Sequence, residues 1–88
     1  MQAKREFTRD EADDIARQLG IDFVVEGFEL DEFRKGLNVE LEHGSVHPET
    51  DITHDDPLMT GRLALAHLRE RPDFYSFLLA VEGNLEEP

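Results

Sequence analysis

The stretch Asp56-Pro57-Leu58-Met59-Thr60-Gly61-Arg62-Leu63-Ala64-Leu65-Ala66-His67-Leu68 decides how the rest of the chain is read. Proline just behind an aspartate starts a helix, because its fixed φ suits the first turn and its missing N–H would have lacked a partner there. Asp55 or Asp56 supplies the cap. The segment is apolar nearly all round, so it reads as a central helix, with Gly61, Ala64 and Ala66 allowing neighbours to come close. Arg71-Pro72 ends it.

Working outward, Asp73 is expected to cap a last helix that carries Phe74, Phe77, Leu78 and Val81 on one face and closes at Gly83-Asn84. Upstream, Ser45, Pro48, Thr50, Asp51 and Thr53 make residues 44–56 an acidic loop organised by side-chain turns. Before that loop, Asp31 is expected to cap a helix with Phe33, Leu37 and Leu41 inward, ending at Gly44. Glu40 lies seven residues beyond Phe33 and three beyond Leu37, on the same face, where a carboxylate needs polar company.

The first helix is marked by Thr8-Arg9-Asp10-Glu11, the spacing of a reciprocal capping box, with Phe7 placed to staple onto Ala12. Ala12, Ile15, Ala16 and Leu19 recur at helical spacing, and Gly20 supplies a left-handed stop, so this helix is expected over about Arg9 to Leu19. Ile21 to Leu30 reads as an extended connector with Ile21, Phe23 and Phe28 tucked inward, since a lone strand would have no partner. The expectation is an all-α domain over 1–88, a compact bundle of about four short helices. An ordered acidic loop joins the second and third, and residues 1–6 and 84–88 are frayed. Its core is Phe33, Leu37, Leu41, Leu63, Leu68, Phe74 and Phe77.

Composition narrows the function classes. Nine Lys and Arg face twenty-one Asp and Glu, a net charge of −12, and the chain has no cysteine. That charge repels phosphate backbones and anionic lipid, which argues against direct nucleic-acid or membrane binding and leaves cations, a basic protein surface or a merely solubilising role. No apolar run approaches the roughly twenty residues of a membrane span, and the opening Met1-Gln2-Ala3-Lys4-Arg5-Glu6 is charged rather than signal-like. A cytoplasmic address, as monomer or homodimer, is expected. Residues 36–61 hold six acids and three of the four histidines but no Lys or Arg, so the acidity concentrates there.

Three blocks, together with Phe7-Thr8-Arg9-Asp10-Glu11-Ala12 and Leu19-Gly20-Ile21-Asp22, carry a family likeness. The blocks are Phe33-Arg34-Lys35-Gly36-Leu37-Asn38-Val39-Glu40-Leu41-Glu42-His43-Gly44, then Asp55-Asp56-Pro57-Leu58-Met59-Thr60-Gly61-Arg62-Leu63-Ala64-Leu65-Ala66-His67-Leu68, then Pro72-Asp73-Phe74-Tyr75. From about Phe7 to Leu79 the chain resembles a family of short bacterial, archaeal and phage proteins known only as a domain of unknown function. The resemblance implies no mechanism, so the residues have to speak for themselves.

Glu40-Leu41-Glu42-His43 and His67-Leu68-Arg69-Glu70 are the one pairing with metal-site spacing, each setting a carboxylate and an imidazole on one helical face. Were the two helices antiparallel, Glu40, His43, His67 and Glu70 would converge, with Asp55 or Asp56 adding oxygen, a donor set suited to Zn, Fe or Mn. The plainer alternative is a hydrogen-bonded structural network of those same side chains, with no cofactor. Asp51, Thr53 and Asp55 resemble the start of a calcium loop, but Asp56 stands where glycine is needed and Arg62 where a bidentate glutamate belongs. No nucleophile has a flanking motif, and no glycine pattern forms a phosphate cradle. The functional expectation is a non-enzymatic acidic accessory or protein-interaction domain. The alternatives are the metal-binding module and an acidic phage-type inhibitor or nucleic-acid mimic.

Overall fold

Thr8 starts the first helix by satisfying two backbone donors reciprocally. Its Oγ1 accepts from the Glu11 N–H at 3.2 Å, and Glu11 Oε1 accepts from the Thr8 N–H at 2.9 Å. The computed structural model describes residues 6–46 and 56–86. Among the described residues it holds five helices: α1 (Arg9–Gln18), α2 (Phe23–Glu26), α3 (Leu30–Val46), α4 (Pro57–Glu70) and α5 (Phe74–Glu86). The all-α reading stands, with one short helix more than the sequence suggested. Of the acidic loop expected over residues 44–56, residues 44–46 belong instead to α3, Asp56 caps α4, and 47–55 lie outside the described residues, as do 1–5 and 87–88 of the tails, while 84–86 continue α5.

Gly20 ends α1 with φ 71, as its position predicted. The segment read as an extended connector instead turns once. Asp22 Oδ1 accepts from the Val24 and Val25 N–H groups at 3.0 and 3.2 Å, and Gly27, at φ 84, closes the turn. Asp31 does not cap α3, which begins a residue earlier with the Phe33 N–H bonded to Glu29 O at 3.1 Å. Gly44 does not end α3, nor does Gly83-Asn84 end α5. Glycine is a stop only where the backbone turns left-handed, and it continues a helix at a cost of about 1 kcal/mol.

The central pair is α3 and α4, and α1 and α5 each lie across both. Close contacts pair Phe33 with Gly61, Gly36 with Ala64 and Glu40 with His67, so α3 and α4 run in the same direction rather than antiparallel. Phe7 fastens the start of α1 to α3: its N–H donates to Asn38 Oδ1 at 2.5 Å, and its carbonyl accepts from Arg34 Nε at 2.9 Å. Phe23, Phe28 and Phe33 form an aromatic triad, with centroids 5.8 to 6.4 Å apart.

Of the expected core, Phe33, Leu37, Leu41 and Leu68 are buried and Leu63 and Phe74 half-buried, but Phe77 is 49% exposed beneath the Arg71 guanidinium, 4.0 Å away. Tyr75 takes the inward place on α5 and is fully buried. Ala66 faces outward, whereas Gly61 and Ala64 are buried. A Cβ on Gly61 would lie 2.8 Å from Ile15 Cγ2 and 2.8 Å from Leu19 Cδ1, and one on Gly36 would lie 2.5 Å from Tyr75 Cε2.

Those two glycines should not be equivalent. Beside Gly61 the end of the half-buried Leu19 can swing aside, although the β-branch methyl of Ile15 is stiff, whereas beside Gly36 the Tyr75 ring is held between its backbone and a bonded hydroxyl. Gly36→Ala is therefore expected to cost about 1–3 kcal/mol and Gly61→Ala less. Urea unfolding checks this through the midpoint at constant slope. A Gly36→Ala protein as stable as the parent would contradict the packing described.

Candidate functional site

Glu32, Gly36 and Glu40 recur every four residues along α3 and so form a stripe on one face. Tyr75 lies along that stripe. Its ring rests on Gly36, its N–H donates to Glu32 Oε2 at 2.9 Å, and its hydroxyl donates to Glu40 Oε2 at 2.6 Å. The site is the polar cluster at the hydroxyl end, where Glu40 from α3, His67 from α4 and Tyr75 from α5 meet.

His67 Nδ1 is 2.8 Å from Glu40 Oε2 and 2.9 Å from the Tyr75 hydroxyl. The proton count among these atoms is tightly constrained. The phenol gives its one proton to the carboxylate, so the nitrogen facing both oxygens must carry a proton of its own, and Nδ1 is the protonated position. The imidazole is further fixed by stacking on Phe74, with centroids 5.0 Å apart and planes 17° from parallel. Glu40 is 13% exposed and His67 37%. Burial, and then the hydrogen bond to Glu40, push the Tyr75 phenol well above its ordinary pKa, so it remains a donor.

At the other end of the tyrosine, Glu32 does the work expected of Asp73. Its carboxylate accepts from the Tyr75 and Ser76 N–H groups, both at 2.9 Å, and from the Ser76 hydroxyl, which in turn accepts from Lys35 Nζ at 3.2 Å. A glutamate on α3 thus satisfies the free donors that open α5 and sits at the positive end of its dipole. Asp73 is turned instead to Arg71, whose Nε lies 2.5 Å from Oδ1, and that hydrogen bond lowers the Asp73 pKa.

The structure brings Glu40 and His67 together, and of the other candidates the described ones, Asp56 and Glu70, do not join them. Asp56 caps α4, accepting from the Leu58 N–H at 3.0 Å. It is eleven residues from His67, roughly 16 Å along the helix. Glu70 is exposed and has no hydrogen bond or ion pair among the described residues. The His43 side chain and Asp55 lie outside the described residues. Among the described residues no three His, Asp or Glu side chains converge as metal ligands. The facing oxygen and nitrogen of Glu40 and His67 bind each other, the arrangement of a clamp between helices. Tyr75, Glu32 and Gly36 were not singled out from sequence, although the four-residue spacing of the last two with Glu40 was there to be read.

Tyr75 is the chain's one tyrosine, so its ionisation can be followed without interference. A raised native pKa stabilises the fold at every pH below the ordinary phenol value of about 10 and loses that contribution as pH climbs toward the native value. Stability is therefore expected to fall above about pH 10. Phenolate absorbance should appear only together with unfolding, and Tyr75→Phe should flatten that alkaline limb. A phenolate signal titrating near its ordinary pKa while helical circular dichroism stays intact would refute the buried hydrogen bond.

Residues 12–84 match the model of a family described as "Protein of unknown function (DUF5661)". The chain matches no curated protein and no solved structure. The matched span takes in all of α2, α3 and α4 and every member of the Glu40, His67 and Tyr75 cluster. This chain belongs to the DUF5661 family of proteins of unknown function.

Proposed function

We propose that the chain is a small non-enzymatic protein-interaction domain that engages a basic partner through its acidic surface. The supporting observation is where its polar chemistry points. Glu40, His67 and Tyr75 are bonded to one another, as are Glu32, Lys35 and Ser76, whereas acids such as Glu29 and Glu70 are exposed and without a partner among the described residues. A catalytic base or ligand needs an atom aimed at a substrate, and here the converging atoms are aimed at one another. The groove lined by Phe7, Ile15 and Pro57 and the groove lined by Phe23, Val24 and Phe28 do not include Glu40, His67 or Tyr75.

The acidic surface favours a partner rich in Lys and Arg, with an attraction that salt screens over about 8–10 Å. Nucleic-acid mimicry fits less well, because Arg34, Lys35, Arg62, Arg69 and Arg71 interrupt the acids along the helices. Among the described residues no helix is long and apolar enough to cross a membrane. A cytoplasmic setting belongs to the proposal as well, and a bacterial or phage system is carried over from the sequence resemblance.

Two measurements test this reading. Immobilised full-length chain should retain proteins from a lysate of its host cell at low salt and release them as salt rises. Retention of nothing at low salt would leave the acids with only a solubilising role. Protein prepared without a histidine tag should carry no stoichiometric transition metal and melt at the same temperature with and without chelator. Bound metal together with a chelator-lowered midpoint would establish the Glu/His metal module instead.

A further inference from the structure

The four residues of α2 are anchored at every position except the two that face water. Asp22 caps the turn through its side chain, its carbonyl accepts from the Glu26 N–H at 2.9 Å, and the Gly27 N–H donates to Phe23 O at 3.0 Å. Glu26 is gripped by both arms of Arg69 on α4, with Nε and Nη2 3.0 and 2.8 Å from its two oxygens. That fork lowers the Glu26 pKa and raises that of Arg69. Phe23 packs edge-on to Phe28, and both rings contact the buried Phe33. On this anchored turn Val24 and Val25 are 91% and 79% exposed.

Single exposed apolar residues need no explanation, but this pair has two further properties. An open groove of about 340 Å³ lies beside it, lined by Phe23, Val24, Gly27, Phe28 and Glu29. The element is also ordered before anything binds, so docking on it would lose little conformational entropy. Charge then selects the occupant. Asp22 and Glu29 flank the valines as exposed carboxylates, while the Arg69 guanidinium is occupied by Glu26 and does not oppose an incoming base. A second copy would set the same carboxylates against each other on two chains of −12 each.

We propose that α2 and its groove form the docking site for a basic partner protein. The partner inserts one aliphatic or aromatic side chain between Val24 and the Phe23–Phe28 edge and sets Lys or Arg against Asp22 and Glu29. This rests on the interaction reading and names the surface and the partner chemistry for it.

The test titrates isotope-labelled full-length chain with short synthetic peptides that carry a central Leu or Trp between Lys-Arg pairs. Control peptides have Glu in place of the bases or Ser in place of the centre. Amide shifts should centre on residues 22–29 for the basic apolar peptide alone, and Val24→Ser with Val25→Ser should weaken binding roughly tenfold. Both side chains face water, so that variant keeps its fold, which helical circular dichroism verifies. No binding, shifts centred elsewhere, or affinity unchanged in the variant would each overturn the proposal. Self-association of the parent chain that vanishes in the variant would overturn it too, by giving the surface to a second copy. The variant also separates this inference from the broader one. Salt-sensitive capture from lysate that survives both substitutions removes the docking site and keeps the interaction domain, whereas capture by neither protein removes both.

Discussion

Tyr75 laid across Gly36 is the constraint on which the arrangement of α3, α4 and α5 depends. One residue reports to two glutamates about 12 Å apart along α3, through its backbone at Glu32 and its hydroxyl at Glu40. Because the ring rests where a Cβ would collide with it, α5 can approach α3 closely only at this height. His67 then joins α4 to the same carboxylate, so a single oxygen fixes the relative rise of three helices. An apolar contact could tolerate a slide of one turn. A three-way hydrogen bond in a half-buried setting cannot, since a slide would strand a carboxylate and a phenol without partners.

Legibility from sequence follows the range of the interaction. The capping box at Thr8 and the left-handed stop at Gly20 involve residues within four of each other, and the spelling alone placed them. The inward position of Glu40 was legible because Phe33 and Leu37 define the face it shares. The face of α5 was not. Phe74, Tyr75, Phe77, Leu78, Leu79, Ala80 and Val81 make a nearly continuous apolar run, so periodicity cannot choose between Tyr75 and Phe77 as the inward ring. What chooses is a carboxylate on another helix. The capping of α5 by Glu32 and the shared direction of α3 and α4 are equally nonlocal, which is why Asp73 and an antiparallel pairing looked reasonable from sequence.

The same geometry relocates the question of function. Spacing of carboxylate and imidazole three residues apart is common to metal sites and to interhelical clamps, and the two differ only in where the atoms point. Here Nδ1 of His67 carries a proton toward Glu40, while Asp56 stands at the far end of α4 as a cap. A half-buried clamp of this kind is weak evidence for stability and better evidence for a fixed helix register. Function is then sought in what the clamp leaves outside, and there the anchored turn of α2 carries the two most exposed large apolar side chains among the described residues, Val24 and Val25, ahead of the partly exposed Phe77, Leu79 and Val81 on α5.

The excess of acid is better understood from where the helices begin. Each of the five has a carboxylate at its positive end: Asp10 and Glu11 on α1, Asp22 on α2, Asp31 and Glu32 on α3, Asp56 on α4, and Glu32 again, from outside, on α5. Arg17, His67 and Arg69 stand in the last turns of α1 and α4, at the opposite pole. Helix dipoles therefore offset part of the self-repulsion that −12 on 88 residues would impose, by a few tenths to about 1 kcal/mol at each exposed end. It follows that the acids are not interchangeable. Neutralising those at helix starts would weaken the fold, whereas Glu29 and Glu70 hold nothing together among the described residues. A partner that reads charge can bind these outlying carboxylates without loosening the helices beneath them. Of the two, Glu29 also lines the groove beside Val24, so there charge recognition and apolar contact coincide.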